Sequence, residues 1–178
     1  DRAQRRVGGW ICDDHGAEVD DTVALVSHAP ANYDCPFCNN IHNGTSTFPL
    51  EIVHRDPEVF VKMNPNWWPN NPGNVLVIPT AHHENLFELP VAVAPAIHRA
   101  AWASAVAMKR AFRCDGVSTR QHNEPAGNQD VWHFHLHVFP RWDGDELYRT
   151  EGTPAPPGAL RDRATQLRQH WPDPSEAP

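Results

Sequence analysis

His133-Phe134-His135-Leu136-His137-Val138-Phe139-Pro140-Arg141 alternates histidine with an apolar residue three times in succession. A strand repeats every two residues, so this pattern predicts a strand with His133, His135 and His137 on one face. Trp132, Phe134, Leu136 and Val138 then occupy the other. Same-face side chains recur every ~6.6–7 Å along such a strand. The apolar face is expected to bury against a core and hold the imidazoles rigidly, a presentation that needs no mobile loop.

The surrounding chain supplies the rest of a small α+β domain. Upstream, 116–121 reads as a strand, and the loop 122–130 is rich in amides and small residues. Ile97, Ala101, Ala105, Met108 and Phe112 recur at helical spacing, with Pro90 or Pro95 suited to the first turn and Lys109 and Arg110 near the C-terminal end. Asn74 to Ile78 is apolar on both faces, which suggests a central strand. Before it, 49–54 and 58–63 read as a hairpin, and 64–73 as a proline-rich loop carrying Trp67 and Trp68. Residues 39–46 read as a turn-rich linker, and Val23–Val26 as a short strand. Downstream, Trp142–Asp145 is a turn and Ala159 to Trp171 a short helix with Leu160, Ala164 and Leu167 on one side; the last residues are expected to be disordered. The pattern of hairpin, strand, helix, strand, strand implies an antiparallel sheet with one main helix. The expected division is an arm at 1–34, a catalytic domain at 35–145 and a proline-rich tail with a short helix at 146–178.

The 178 residues suit one domain and suffice for a real core. A formal net charge of -7 without any basic run argues against duplex nucleic acid as partner. No uninterrupted apolar run reaches the ~18 residues of a membrane span. Asp1 to Gly9 is polar and basic with no apolar segment behind it, unlike a secretion signal, which makes a cytoplasmic protein with reduced thiols the expectation.

Imidazole is a nucleophile, an acid and a base near neutral pH, so several on one face allow a division of labour. Asn123, Gly127, Asn128 and Gln129 suit phosphate oxygens, and no Ser or Cys has the spacing of an acyl-transfer nucleophile. Cys35-Pro-Phe-Cys38 fits a zinc knuckle or a redox dithiol; a polar turn after it and the lack of a βαβ unit weigh against the dithiol. His15, His28, His42, His54, His98 and His170 read as surface or packed residues, and Cys12 and Cys114 as plain thiols.

His-Phe-His-Leu-His-Val-Phe at 133–139 resembles the histidine-triad (HIT) signature, His-φ-His-φ-His-φ-φ with φ apolar. Gly73-Asn-Val-Leu-Val-Ile-Pro-Thr-Ala-His82 is similar to the family's Gly-His-x-Leu-Val-Ile-Pro-Lys-x-His segment, departing at Asn74 and Thr80. Gly127 and Gln129 match its Ala-Gly-Gln lead-in, with Asn128 as a departure. The likeness covers roughly 35–145. It implies a HIT-like fold and hydrolysis or transfer at the α-phosphate of a nucleotide conjugate, such as a nucleoside phosphoramidate or dinucleoside polyphosphate. By position, His135 is the implied nucleophile, forming a nucleotidyl-histidine; His137 contacts the phosphate and assists the leaving group, and Gln129 binds phosphate or orients the nucleophile. Asn64 would bond the ribose, Phe60 or Ile52 would flank the base, and Asn123 or His122 would lie near the leaving group. Zinc-containing members imply a structural zinc on Cys35, Cys38, His82 and His133, with His83 as substitute ligand, and the family implies a homodimer. A phosphorylase or nucleotidyltransferase using the same intermediate, and a nucleotide-binding protein of weak activity, are the alternative readings.

Overall fold

A computed structural model describes residues 26–42 and 51–177. The expected arm is described only from Val26, so most of it, including 23–25 of the expected short strand with Cys12 and His15, lies outside the described residues, as do 43–46 of the expected linker and 49–50 of the hairpin. The elements are α1 (Pro36–His42), β1 (Ile52–Arg55), β2 (Val59–Met63), β3 (Asn66–Trp67), β4 (Val75–Pro79), α2 (Ala94–Phe112), β5 (Gly116–Gln121), β6 (Leu136–Arg141), β7 (Thr153–Pro154) and α3 (Ala159–Gln169).

The main sheet runs β1-β2-β4-β6-β5 and is antiparallel throughout. Strand β4 is central, as its two apolar faces imply, and α2 carries the chain across to the β5 edge so that β6 fills the gap. Val59, Val61 and Met63 of β2, Val75 and Val77 of β4, and Val138 of β6 face the helical layer. Phe60, Leu76 and Ile78 face the other way, against Cys35, Phe37 and Ile41. The sheet therefore has a helix face and a second face covered by α1.

Helix α2 buries Ala96, Ile97, Ala100, Ala103, Ser104, Ala107, Met108 and Phe112. The buried stripe is thus displaced by one residue in its middle, and Ala101 and Ala105 border an open groove. With its lead-in turn, 91–112 is long and apolar enough to cross a membrane, although no unbroken apolar run announces it; its packed face is that of a core helix. Arg113 ends it in the left-handed region while Lys109 Nζ donates to the carbonyls of Cys114 and Asp115. Gly73 approaches this end: a Cβ there would lie 2.8 Å from Phe112 Cε2, and its φ of +102° suits glycine alone.

Several expectations need correction. Residues after Cys35 form a helix through His42, not a linker. The 64–73 loop contributes β3, which pairs with β7. The expected short helix near the C-terminal end is present as α3, and its Ala164 and Leu167 enter the same core as α2. The expected disorder at the end is replaced by a capped turn at Pro174–Glu176, with Glu176 paired to Arg110. The predicted strand begins at Leu136, not at His133, because the preceding backbone bonds elsewhere: His133 N–H donates to Val131 and Phe134 N–H to His83. Trp132 leaves the core face and lies against His28 instead.

Asp145 locks the far end of β6. Its carboxylate accepts from Arg141 Nε (2.6 Å) and Nη2 (2.7 Å), from Asn71 Nδ2 (2.6 Å), and from the N–H groups of Trp142 and Leu147. Arg141 above all holds this carboxyl well below the usual carboxylate range. Arg141 keeps contact with solvent, so the main loss is the shared acceptor of Asn71 and the Trp142 and Leu147 N–H groups, and Asp145→Ala is expected to cost about 1–3 kcal/mol in urea unfolding. A depressed carboxyl stabilises fully above its unfolded pKa near 3.9 and loses that contribution as the pH falls below it. The wild type should therefore converge on the variant's stability in acid, and a constant gap across pH would contradict this.

Candidate active site and metal centre

A cavity of about 260 Å³ opens on the sheet face opposite α2. Alternation along β2 brings Lys62, and just beyond it Asn64, to this face; Leu76 of β4 and His137 of β6 continue the row, with Leu76 the Cα partner of both Lys62 and His137. His135 lies at the mouth of β6, its ring centroid 5.1 Å from that of His137. Pro36 and Phe37 of α1 form one wall, and Trp68 stands at another.

His135 is 4 % exposed, and its Nδ1 lies 2.8 Å from the carbonyl oxygen of His133. A carbonyl only accepts, so Nδ1 carries the proton and Nε2 holds the lone pair. Burial holds His135 below the usual imidazole range. The exposed Asp130 carboxylate lies 3.9 Å from Nε2. Burial, with His135 and Arg120 beside it, pushes His137 down to about 3. Both rings are neutral near pH 7, which suits one as nucleophile and the other as a hydrogen-bonding partner.

His133 takes a different place from the one strict alternation assigns. It does not line the cavity; its ring is fully buried beyond Phe37, which meets His133 edge-on at 5.6 Å and His135 at 5.4 Å. Its Nε2 donates to the Pro79 carbonyl at 3.0 Å, and its Nδ1 lies 3.3 Å from Cys35 Sγ and 3.7 Å from Cys38 Sγ. His82 Nδ1 lies 3.3 Å from Cys38 Sγ. The four donor atoms fall within 4.8 Å of one another. Tetrahedral zinc with Zn–S near 2.3 Å and Zn–N near 2.05 Å sets donor separations of roughly 3.3–3.8 Å, close to these contacts. His133 is also held through its second nitrogen, as metal-bound imidazoles are. The residues fit a closed structural zinc site. His83 stays outside it and contributes its backbone carbonyl to Phe134. The cysteines do open a helix, contrary to the expected turn, but two histidines complete the quartet and burial beside Cys35 raises Cys38 to about 11, the reverse of an activated dithiol.

The remaining expected residues divide. Asn64 lines the cavity and caps the backbone N–H of Asn66 with its side-chain oxygen. Phe60 is 2 % exposed and packs beneath α1, and neither it nor Ile52 lines the cavity. Gln129 is buried behind it, its amide donating to the carbonyls of Glu84 and Val131 and its oxygen accepting from Glu124 N–H. With those bonds in place it positions the loop around His135 and leaves no free amide for phosphate. Asn123 Oδ1 accepts from Leu86 N–H, tying two loops, while the His122 ring stands 6.1 Å from that of His137. Sequence reasoning missed Phe37, Arg120 and Lys62, and left Trp68 open as lid, dimer contact or loop packing. Arg120 pairs across the sheet with His137, its guanidinium 4.9 Å from the Trp68 and Phe139 rings. Counting back two residues from Asn64 would have found Lys62.

Comparison with known proteins bears on the fold and the family. A HIT-like protein from Bartonella henselae superposes with a TM-score of 0.66 at 31% identity, over 80% of this chain and 98% of its own. A zinc-bound histidine triad family protein from Mycobacterium smegmatis gives 0.66 at 25% identity, over 77% and 92%. Adenylylsulfatase HINT3 of Arabidopsis thaliana is 28% identical over 134 residues, 75% of this chain and 66% of its own. The HIT domain model matches residues 46–144, more than half of the sequence, and the chain belongs to the HIT family.

Proposed function

We propose that this protein hydrolyses nucleotidyl conjugates, such as nucleoside phosphoramidates and dinucleoside polyphosphates, through a nucleotidyl-His135 intermediate. The observation that carries the reading is the 2.8 Å contact between the buried His135 Nδ1 and the His133 carbonyl, which requires the proton on Nδ1 and leaves the Nε2 lone pair for the cavity that His135 lines. Nε2 attacks the α-phosphorus as the bond to the leaving group breaks. The positive charge gained by the ring is stabilised at Nδ1–H by the His133 carbonyl. A phosphate leaves as the anion; an amine leaves after taking a proton from solvent water. His137 donates to a phosphoryl oxygen from the neighbouring strand position. Water then cleaves the N–P bond, giving the 5′-monophosphate and regenerating the imidazole. Asn64 receives the ribose hydroxyls, and Gln129 positions the His135 loop. A relative named as an adenylylsulfatase is consistent with cleavage at a nucleotidyl centre.

His135→Ala should lower kcat by about 10³-fold or more while nucleoside monophosphate binding persists, as loss of a covalent nucleophile does. Turnover retained in this variant would refute the assignment. Product analysis with added phosphate separates the two acceptors: a 5′-monophosphate marks hydrolysis, whereas a nucleoside diphosphate would mark a phosphorylase.

We further propose that Cys35, Cys38, His82 and His133 hold a structural zinc. Bound there, the ion supplies rigidity, fixing the ring of His133 and hence the carbonyl that orients His135. Protein purified without chelator should carry about one zinc per chain. Cys38→Ser should lower both the zinc content and Tm, and reduce kcat more than it raises KM. A zinc ratio near zero in the wild type would reject the site.

A further inference from the structure

We propose that Asp130 is the general base of the second step, taking a proton from the water that attacks nucleotidyl-His135. The inference rests on the nucleotidyl-histidine reading above and extends it to the group that activates water. Neutral water is a weak nucleophile until a positioned base draws off its proton, so hydrolysis of the intermediate calls for an acceptor at the cavity. The cavity offers few. His135 Nε2 carries the nucleotidyl group at that stage, His137 gives its N–H to a phosphoryl oxygen, and the Lys62 ammonium only donates. Among the described residues, Asp130 supplies the one carboxylate that lines the cavity.

Its position suits the task. Asp130 Oδ1 lies 3.9 Å from His135 Nε2. With a lone pair on each atom and that separation, the two make no hydrogen bond. Among the described residues the carboxylate has no hydrogen-bond partner, so its oxygens are open to water. The Asp130 side chain is 84 % exposed and that of His135 4 %, which puts the carboxylate on the solvent side of the buried nucleophile. The backbone on either side is held. Gln129 is buried, with its side chain bonded to Glu84, Glu124 and Val131, and the Val131 carbonyl accepts from both Gln129 Nε2 and His133 N–H.

Displacement at phosphorus runs in line, so water enters opposite Nε2, through the place that the leaving group vacates. That place lies outward of Nε2, and Asp130 reaches it by a change of rotamer that an exposed side chain makes within nanoseconds. The water oxygen bonds to phosphorus as the phosphorus–Nε2 bond breaks and its electron pair returns to the imidazole. One water proton passes to the Asp130 carboxylate, and the other stays on the 5′-monophosphate. The carboxyl then releases its proton to solvent. The His135 ring ends neutral, with Nδ1–H on the His133 carbonyl as before.

Rapid-quench kinetics of the wild type and of Asp130→Asn test this with adenosine and guanosine 5′-phosphoramidates of p-nitroaniline. The released amine is followed by absorbance, and labelled nucleotide is trapped on the protein. Asparagine keeps the side chain's size while removing its basicity, and an exposed position tolerates it. Amine release in the first turnover should match the wild type, while breakdown of the nucleotidyl-enzyme should slow by about 10²-fold or more, the scale of a general base. The labelled intermediate should then accumulate, and kcat and KM should fall together. Hydroxylamine, a neutral amine that attacks without help from a base, should restore turnover of the variant. Breakdown as fast as in the wild type, both steps slowed alike, or no gain from hydroxylamine overturns the assignment of Asp130. A trapped nucleotide with equal breakdown in the two proteins removes this inference alone. No trapped nucleotide in either removes the nucleotidyl-histidine reading and this inference with it.

Discussion

His133 is the residue through which the rest of the site is held. Its carbonyl accepts the Nδ1–H of His135 and so decides which nitrogen of the candidate nucleophile is free. Its ring Nε2–H is anchored to Pro79 at the end of the central strand, and its Nδ1 turns toward Cys35 and Cys38. One residue therefore couples the donor quartet, the sheet and the candidate nucleophile. A carbonyl is a one-way partner, which makes this coupling a matter of geometry more than of pH.

The two-faced sheet explains why chemistry and stability can occupy the same strands. Val59, Val61, Met63, Val75, Val77 and Val138 fill the core with α2, while the intervening positions hold Lys62, Leu76 and His137. Period two writes both sets into one stretch of chain. The cost falls on buried polar groups: His137 Nδ1 and Arg120 Nε are enclosed without a protein partner among the described residues. Such groups are expected where a ligand, not the fold, completes the hydrogen bonding.

Much of this was legible in the residues. The alternation at 133–139, the apolar run at 75–78 and the helical stripe ending at Phe112 led to the antiparallel sheet and its main helix because burial enforces those periods. Cys35, Cys38, His82 and His133 do meet. What escaped was set by tertiary contacts. Periodicity could not show that His133 and Phe134 would bond to Val131 and His83 and so fall outside the ladder. Residues 36–42 carry few helix-favouring side chains, and Phe37 and Ile41 are helical because they pack beneath the sheet. The hairpin reading of 58–63 gave Lys62 no role; the cover of α1 on that face makes it an interior charge.

The central claim is that a backbone carbonyl fixes the protonation of His135. Nitrogen-15 NMR of the labelled imidazoles measures this directly, since protonated and unprotonated ring nitrogens resonate far apart. The account predicts a neutral His135 ring at pH 7 with its proton on Nδ1 and Nε2 bare. A proton on Nε2, or an imidazolium at that pH, would contradict it.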